Sequence, residues 1–156
     1  MNLIGVHECK MDNKGRIMMP SPLKKQLLAV IEEGFVVKRS VFASCLELYP
    51  LKEWNAVMSH VNGLNRFVKK NNDFIRMFTA GVKMVELDSA GRLNISNDLI
   101  GFAKLSSSIV MSSAGNIIEI WDKDAYEKAL NNPDVDFSAL AEEVMGNTNA
   151  ASNDVP

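Results

Sequence analysis

Two segments of the chain alternate apolar and polar side chains with a period of two: Leu46-Glu47-Leu48-Tyr49 and Ile118-Glu119-Ile120-Trp121. Successive side chains of an extended strand point to opposite faces, so each segment predicts a half-buried β-strand. The β-branched runs over residues 35–39 and 108–112 predict a further strand ahead of each. The period then changes to that of a helix. Pro50 leads Trp54, Val57, Met58 and Val61, while Asp122 caps a run presenting Tyr126, Ala129 and Leu130. Tyr49, Trp54, Trp121 and Tyr126 follow these core periodicities and read as packing rather than as platforms for stacked bases. Residues 64–78 predict a linking helix with Phe67, Val68, Ile75 and Phe78 on its inner side. Asn132-Pro133 is expected to stop the last ordered helix, and the Asn/Ala/Ser-rich end after Met145 to fray.

These patterns occur twice. Met11-Asp12-Asn13-Lys14-Gly15-Arg16-Ile17-Met18-Met19-Pro20-Ser21-Pro22-Leu23 can be laid on Leu87-Asp88-Ser89-Ala90-Gly91-Arg92-Leu93-Asn94-Ile95-Ser96-Asn97-Asp98-Leu99. Asp, Gly, Arg and the final Leu coincide, and Met11/Leu87, Ile17/Leu93 and Met19/Ile95 exchange one apolar side chain for another. The alternating segments repeat in turn, but the offset falls from 76 to 72 residues, so the first copy carries a four-residue insertion, expected in one surface loop. Each copy reads as strand, tight turn, strand, a short helix N-capped by Ser21-Pro22 or Ser96, two strands and a closing helix. The expected divisions are a first repeat over 6–53, a helical linker over 54–81, a second repeat over 82–125, and a C-terminal helix with an acidic, partly disordered tail over 126–156. A unit of about 45 residues rarely encloses its own core. The two copies are therefore expected to bury their apolar faces against each other as one α+β, barrel-like pseudo-dimer.

Charge refines this picture. The chain has 156 residues and a net charge of −2, but residues 132–156 hold five acids and no Lys or Arg, which leaves residues 1–131 at +3. The excess is concentrated over 62–83, where Arg66, Lys69, Lys70, Arg76 and Lys83 face Asp73 alone; a solvated helix face is the default reading. A mildly basic body permits an anionic partner without requiring one. Cys9 and Cys45 belong to no Cys-x-x-Cys pair and read as reduced thiols. No apolar run approaches the roughly 18 residues needed to span a bilayer, and the first residues lack a signal-peptide pattern, so a cytoplasmic protein is expected.

The most informative stretch is the turn Asp12-Asn13-Lys14-Gly15-Arg16. Asp accepts hydrogen bonds from amides just ahead of it and Gly tolerates positive φ, so the pair builds a stiff reversal with Arg16 at its rim. A guanidinium held this way can make a bidentate contact with phosphate or a guanine edge, which Lys14 reinforces as a point charge. Asp88-Ser89-Ala90-Gly91-Arg92 repeats the design with Ala in place of Lys. A single copy would read as a hairpin turn whose Arg pairs with a nearby acid. Duplication in a matched frame reverses that reading; the repeated turn alone could be structural, and the repeated Arg is the part that asks for a ligand.

With Leu48-Tyr49-Pro50-Leu51-x-Glu53-Trp54 and Ile118-Glu119-Ile120-Trp121-Asp122, the duplicated turns make the chain resemble the MraZ family of bacterial transcriptional regulators, of the AbrB-like swapped-hairpin class. The resemblance covers about residues 3–130. It implies two tandem AbrB-like, swapped-hairpin repeats in one chain, ring-shaped homo-oligomers, and binding to direct repeats in the promoter of a cell-division and cell-wall gene cluster, its own gene included. It also implies a nucleoid-associated regulator. Carried over, the family's DNA-contacting positions are Lys14, Arg16 and Arg92, with Asp12, Gly15, Asp88 and Gly91 forming the turns. Two departures, Ala90 where a polar or basic residue is common and Ser96 where the family often has Pro, bear on the second turn's share in binding. Several turns arrayed on an oligomer would multiply weak contacts.

Other chemistries have less support. His7, Cys9, Cys45 and His60 match no metal-ligand spacing, so no metal and no cofactor are expected. Asp12 and Asp88 could be imagined as an acid/base dyad, but turn capping explains both. No nucleophile-elbow, Walker-type or dinucleotide motif occurs, and no enzyme is expected. The alternative to DNA binding is a protein-protein assembly or antitoxin-like ring module whose arginines pair with a partner's acids.

Overall fold

A computed structural model describes residues 1–154, with side chains through residue 146. The expected strands form: β1 (Val6–Lys10), β2 (Arg16–Met18), β3 (Phe35–Arg39), β4 (Leu46–Pro50), β5 (Lys83–Val85), β6 (Arg92–Asn94), β7 (Ser108–Ala114) and β8 (Ile117–Asp122). Helices α1 (Ser21–Gln26), α2 (Leu51–Asn62), α3 (Lys69–Thr79), α4 (Asn97–Ala103), α5 (Lys123–Leu130) and α6 (Phe137–Asp154) alternate with them, and a 3-10 turn covers Ile31–Glu33. The chain divides into two compact units, one over Met1–Tyr126 and one from Glu127 on.

In the first unit, six strands make one antiparallel sheet in the order β1-β7-β8-β4-β3-β5, and β2 and β6 make a separate two-stranded ribbon. The pairing is exchanged between repeats. β1 of the first repeat pairs with β7 of the second, Cys9 facing Ile109, and β5 of the second pairs with β3 of the first, Val85 facing Phe35. The remaining cross-repeat ladders set like against like: Ile17 faces Leu93 in the ribbon and Glu47 faces Glu119 in the sheet. These are equivalent positions of the two copies, so a pseudo-twofold axis passes through both ladders. The fold is α+β, two tandem repeats interleaved through their hairpins.

The four-residue insertion is divided rather than single. Val37 faces Leu48 whereas Met111 faces Ile120, which makes the first β-hairpin two residues longer; the other two lie between β2 and β3, in the stretch holding the 3-10 turn. Loops carry no periodicity, so only strand register reveals where the extra residues fall.

One face of the large sheet, with Phe35, Val37, Leu46, Leu48, Ile109, Met111, Ile118 and Ile120, packs on Ile17 and Leu93 of the ribbon and on Leu23, Leu27, Leu99 and Ala103 from α1, α4 and their ends. Both repeats contribute side chains to this one core. The opposite face meets an aromatic series: Tyr49 contacts Trp54 of α2 with ring centres 5.4 Å apart, Trp54 stacks on Phe78 of α3 at 6.0 Å, and Trp121 meets Tyr126 at 5.8 Å. The facing carboxylates Glu47 and Glu119 would repel if left alone. Tyr49 Oη donates to Glu47 at 2.8 Å, and its equivalent Trp121 donates through Nε1 to Glu119 at 3.1 Å. Lys38, fully buried, lies 3.7 Å from Glu47, donates to the Arg39 carbonyl and sits 4.3 Å from the centre of the Phe78 ring. Burial lowers the Lys38 pKa, and Glu47 pulls it back up.

Three local expectations are corrected. Pro20, not Ser21, occupies the N-cap of α1, because the prolines at 20 and 22 fix the entry and leave Ser21 as the first helical residue; Ser96 does stand at the N-cap of α4, yet neither helix has a side-chain cap hydrogen bond. The linking helix starts only at Lys69, so Phe67 and Val68 lie outside its phase and are exposed, Phe67 completely. Ile75 and Phe78 are half-buried as expected. The chain resumes a helix after Asn132-Pro133, where Asp136 accepts from the Ser138 amide at 3.0 Å and opens α6. The α6 backbone is helical to Asp154, and residues 155–156 lie outside the described residues.

Candidate nucleic-acid interface

Both turns are built alike, to within a few tenths of an ångström. Asp12 Oδ1 accepts from the Lys14 and Arg16 amides, each at 2.9 Å, and the Asp12 carbonyl accepts from Gly15 at 3.1 Å. Asp88 Oδ1 accepts from Ala90 and Arg92, each at 2.9 Å, and its carbonyl accepts from Gly91 at 2.9 Å. Gly15 and Gly91 take φ of +79° and +84°, the left-handed region that the tight reversal needs. Each turn is then tied to the other repeat: Ile95 donates to the Gly15 carbonyl at 2.8 Å and Met19 to the Gly91 carbonyl at 3.0 Å. Stiffness therefore comes from the partner repeat as well as from the turn itself.

The arginines are oriented by their own turns. Arg16 Nε donates to Asp12 Oδ2 at 2.7 Å and Arg92 Nε to Asp88 Oδ2 at 2.9 Å, with about a third of each arginine side chain exposed, 31% and 32%. The reading of a turn whose Arg pairs with a nearby acid is thus part of the structure. It uses one edge of the guanidinium, and Nη1 and Nη2 make no hydrogen bond among the described residues. A carboxylate on Nε fixes the plane of the fork while the other edge stays available for a bidentate contact.

Ribbon register brings both arginines to one surface. Arg16 faces Asn94 and Arg92 faces Met18, while Ile17 and Leu93 between them turn into the core. Arg16, Met18, Arg92 and Asn94 therefore share the outer face, with the arginines as diagonal neighbours across the two strands. Lys14 is exposed at the tip of the first turn. At the second turn, Lys24 Nζ of α1 comes within 3.3 Å of where a Cβ on Gly91 would lie.

A model of the family described as "MraZ protein, putative antitoxin-like" matches the chain twice, over residues 3–77 and 77–148. The chain belongs to the MraZ family. It is similar to proteins named transcriptional regulator MraZ from Christiangramia forsetii (64% identical, covering 94% of this chain and 95% of that protein) and Flavobacterium psychrophilum (64%, covering 94% of each). The MraZ regulator of Cytophaga hutchinsonii is 39% identical over 92% of this chain and 95% of its own.

Within this MraZ chain, the residues singled out from sequence fall into groups. Asp12, Gly15, Asp88 and Gly91 form the turns, and Lys14, Arg16 and Arg92 stand at or beside the ribbon face. Met18, Asn94 and Lys24 were missed. Strict alternation around Ile17 and Leu93 was the available signal for the first two; Lys24 needed the exchanged packing of α1 against the second turn. In the basic stretch, Lys69 and Arg76 pair with Asp73 at 2.8 and 3.2 Å and Lys83 reaches Asp98 at 3.8 Å, so much of its charge is neutralised internally. No group of three or more His, Cys, Asp or Glu suited to a metal occurs among the described residues. Burial pushes the Cys9 thiol to about 11 and the Cys45 thiol to about 12, which keeps both protonated and unreactive. No helix among the described residues is long and apolar enough to cross a membrane.

The two turn carboxylates titrate as caps. Above all the Arg16 amide holds Asp12 below its ordinary 3.8, with the Arg16 side chain and the Lys14 amide adding to it; the Arg92 amide does the same for Asp88. Both shifts are downward, whereas an acid/base dyad needs one carboxyl raised. A depressed folded-state pKa means that the stabilisation is fully present above the unfolded carboxylate value and is lost as pH falls through the folded value. Thermal unfolding followed from pH 6 to pH 2 is therefore expected to show a shallower acid decline in Asp12→Asn than in the parent chain. An identical decline would remove Asp12 as an acid-sensitive cap.

Proposed function

We propose that this chain is a sequence-specific, DNA-binding transcriptional regulator that presents two arginines, one from each repeat, on a single rigid ribbon face. That presentation carries the reading. Arg16 and Arg92 would clamp or read DNA, Lys14 would anchor phosphate, and Asp12, Gly15, Asp88 and Gly91 would hold the arginines in position. The relatives' shared name, transcriptional regulator, supports the same role. One chain offers few cations, so a homo-oligomeric ring would align several faces with direct repeats of DNA, and avidity would supply the missing affinity. The target is the promoter of a cell-division and cell-wall gene cluster, with its own gene among the targets, and the site of action is the cytoplasmic nucleoid. Repeat boundaries at 6–53 and 82–125, joined by the 54–81 linker, fit this division of labour. The reading involves no cofactor and no catalysis.

A second reading, an assembly or antitoxin-like module, draws on exposed apolar side chains such as Phe42 and Phe67. A gel-shift titration separates the two. The chain is expected to retard a duplex from upstream of its own gene in preference to a scrambled duplex of equal length, with affinity falling steeply as salt rises. Equal retardation of both duplexes, or none of either, would favour the assembly reading.

A further inference from the structure

The two ends of the ribbon face agree in their arginines and differ around them. By repeat equivalence Arg16 corresponds to Arg92 and Met18 to Asn94; beside the turns, Lys14 corresponds to Ala90 and Lys24 to Ile100. The last two differences offset each other. Lys24 Nζ approaches Gly91, whereas Ile100 Cδ1 approaches Gly15, at 3.3 and 3.0 Å from the respective Cβ positions. Lys24 is exposed and joins no ion pair among the described residues. The first turn thus carries Arg16 with its own Lys14, and the second carries Arg92 with Lys24 lent by the other repeat. Each end therefore has two cations for phosphate, and phosphate contacts carry no sequence information.

What distinguishes the ends is Met18 and Asn94. Met18 is 49% exposed and Asn94 is exposed, and neither side chain makes a hydrogen bond among the described residues. Asn94 stands opposite Arg16, and Met18 opposite Arg92. A two-stranded ribbon fits the major groove, where an amide pairs with the N6/N7 edge of adenine and a guanidinium with O6/N7 of guanine. A thioether has no comparable donor and favours an apolar contact such as the thymine methyl.

We infer that the β2–β6 ribbon reads bases with a direction, Asn94 beside Arg16 selecting adenine and Met18 beside Arg92 selecting a thymine methyl, so that the DNA unit read by one chain is not palindromic. This rests on the DNA-binding reading above and adds to it the residues that set polarity. The test is enrichment of duplexes from a randomised library by the full chain and its variants, with thermal unfolding recorded for each. The parent chain is expected to enrich a motif lacking internal twofold symmetry. Asn94→Ala should flatten the base preference at one position by about 5- to 100-fold while leaving the salt dependence unchanged. Met18→Asn, which makes the ends alike, should convert the enriched unit to a twofold-symmetric one with adenine selected at both ends. An unchanged motif in both variants, with enrichment abolished by Arg16→Ala, would overturn the inference and leave the DNA-binding reading standing. No enrichment by the parent chain would overturn both.

Discussion

Replacing Arg16 by alanine is expected to weaken binding to a specific duplex by roughly 10- to 100-fold, and to lower the salt slope by about 1 for each engaged chain. Two effects add. The variant loses the guanidinium edge that faces outward, and it also uncovers Asp12, whose Oδ2 is covered by Arg16 Nε at 2.7 Å. A bare carboxylate at that point repels phosphate. Arg16→Lys, which keeps the charge but not the fork, should fall between the two. Because the side chain is partly exposed, the variant should keep its oligomeric state and unfold near the parent temperature. Affinity unchanged across a salt titration would remove Arg16 from the interface.

The largest loss of stability is expected from Gly15→Ala. An added Cβ would lie 2.8 Å from the Ile95 carbonyl oxygen and 3.0 Å from Ile100 Cδ1, in a residue held at φ +79°. Left-handed backbone costs a non-glycine residue about 1–2 kcal/mol, and a forced contact in packed surroundings typically about 1–3 kcal/mol more. The backbone of Ile95 cannot swing aside, since its amide donates to the same glycine's carbonyl at 2.8 Å. Gly91→Ala is the internal control: its Cβ would meet only the end of Lys24 and the Met18 sulfur, at 3.3 and 3.7 Å, and both can shift. Thermal unfolding should therefore fall by roughly 5–15 °C for Gly15→Ala and by no more than about 5 °C for Gly91→Ala. Equal losses would mean that the left-handed backbone common to both glycines sets the cost and that the Ile95 carbonyl gives way to the added Cβ.

Much of this architecture is legible in the chain itself, and the misses share a cause. Strand positions such as Leu46, Leu48, Ile118 and Ile120 announce themselves because one face is buried and period two is strict. The turns are legible because Asp and Gly perform backbone tasks that few other residues can. What escaped depends on residues far apart in sequence. Phe67 looks like part of an apolar helical face, but Lys69 is the first helical residue, so the phase extrapolated backwards fails. The divided insertion lies in connections, where spacing leaves no pattern. Lys24 is an ordinary solvent-facing lysine on its own helix, and gains meaning only because α1 packs beside the other repeat's turn. Met18 and Asn94 are set in importance by strand register rather than by identity.

The exchange of β1 and β5 between repeats bears on ancestry. Every ladder that joins the repeats either sets a strand against its own counterpart, as β2 against β6 and β4 against β8, or has an equivalent ladder across the pseudo-twofold axis, as β1–β7 has in β5–β3. Two identical half-length polypeptides could close the same ladders, each completing the other. Fusing such a homodimer into one gene would release its sides from sharing one sequence. Met18 against Asn94 and Lys24 against Ile100 are then what drift and selection wrote into that freedom, turning a symmetric reader into one able to tell left from right.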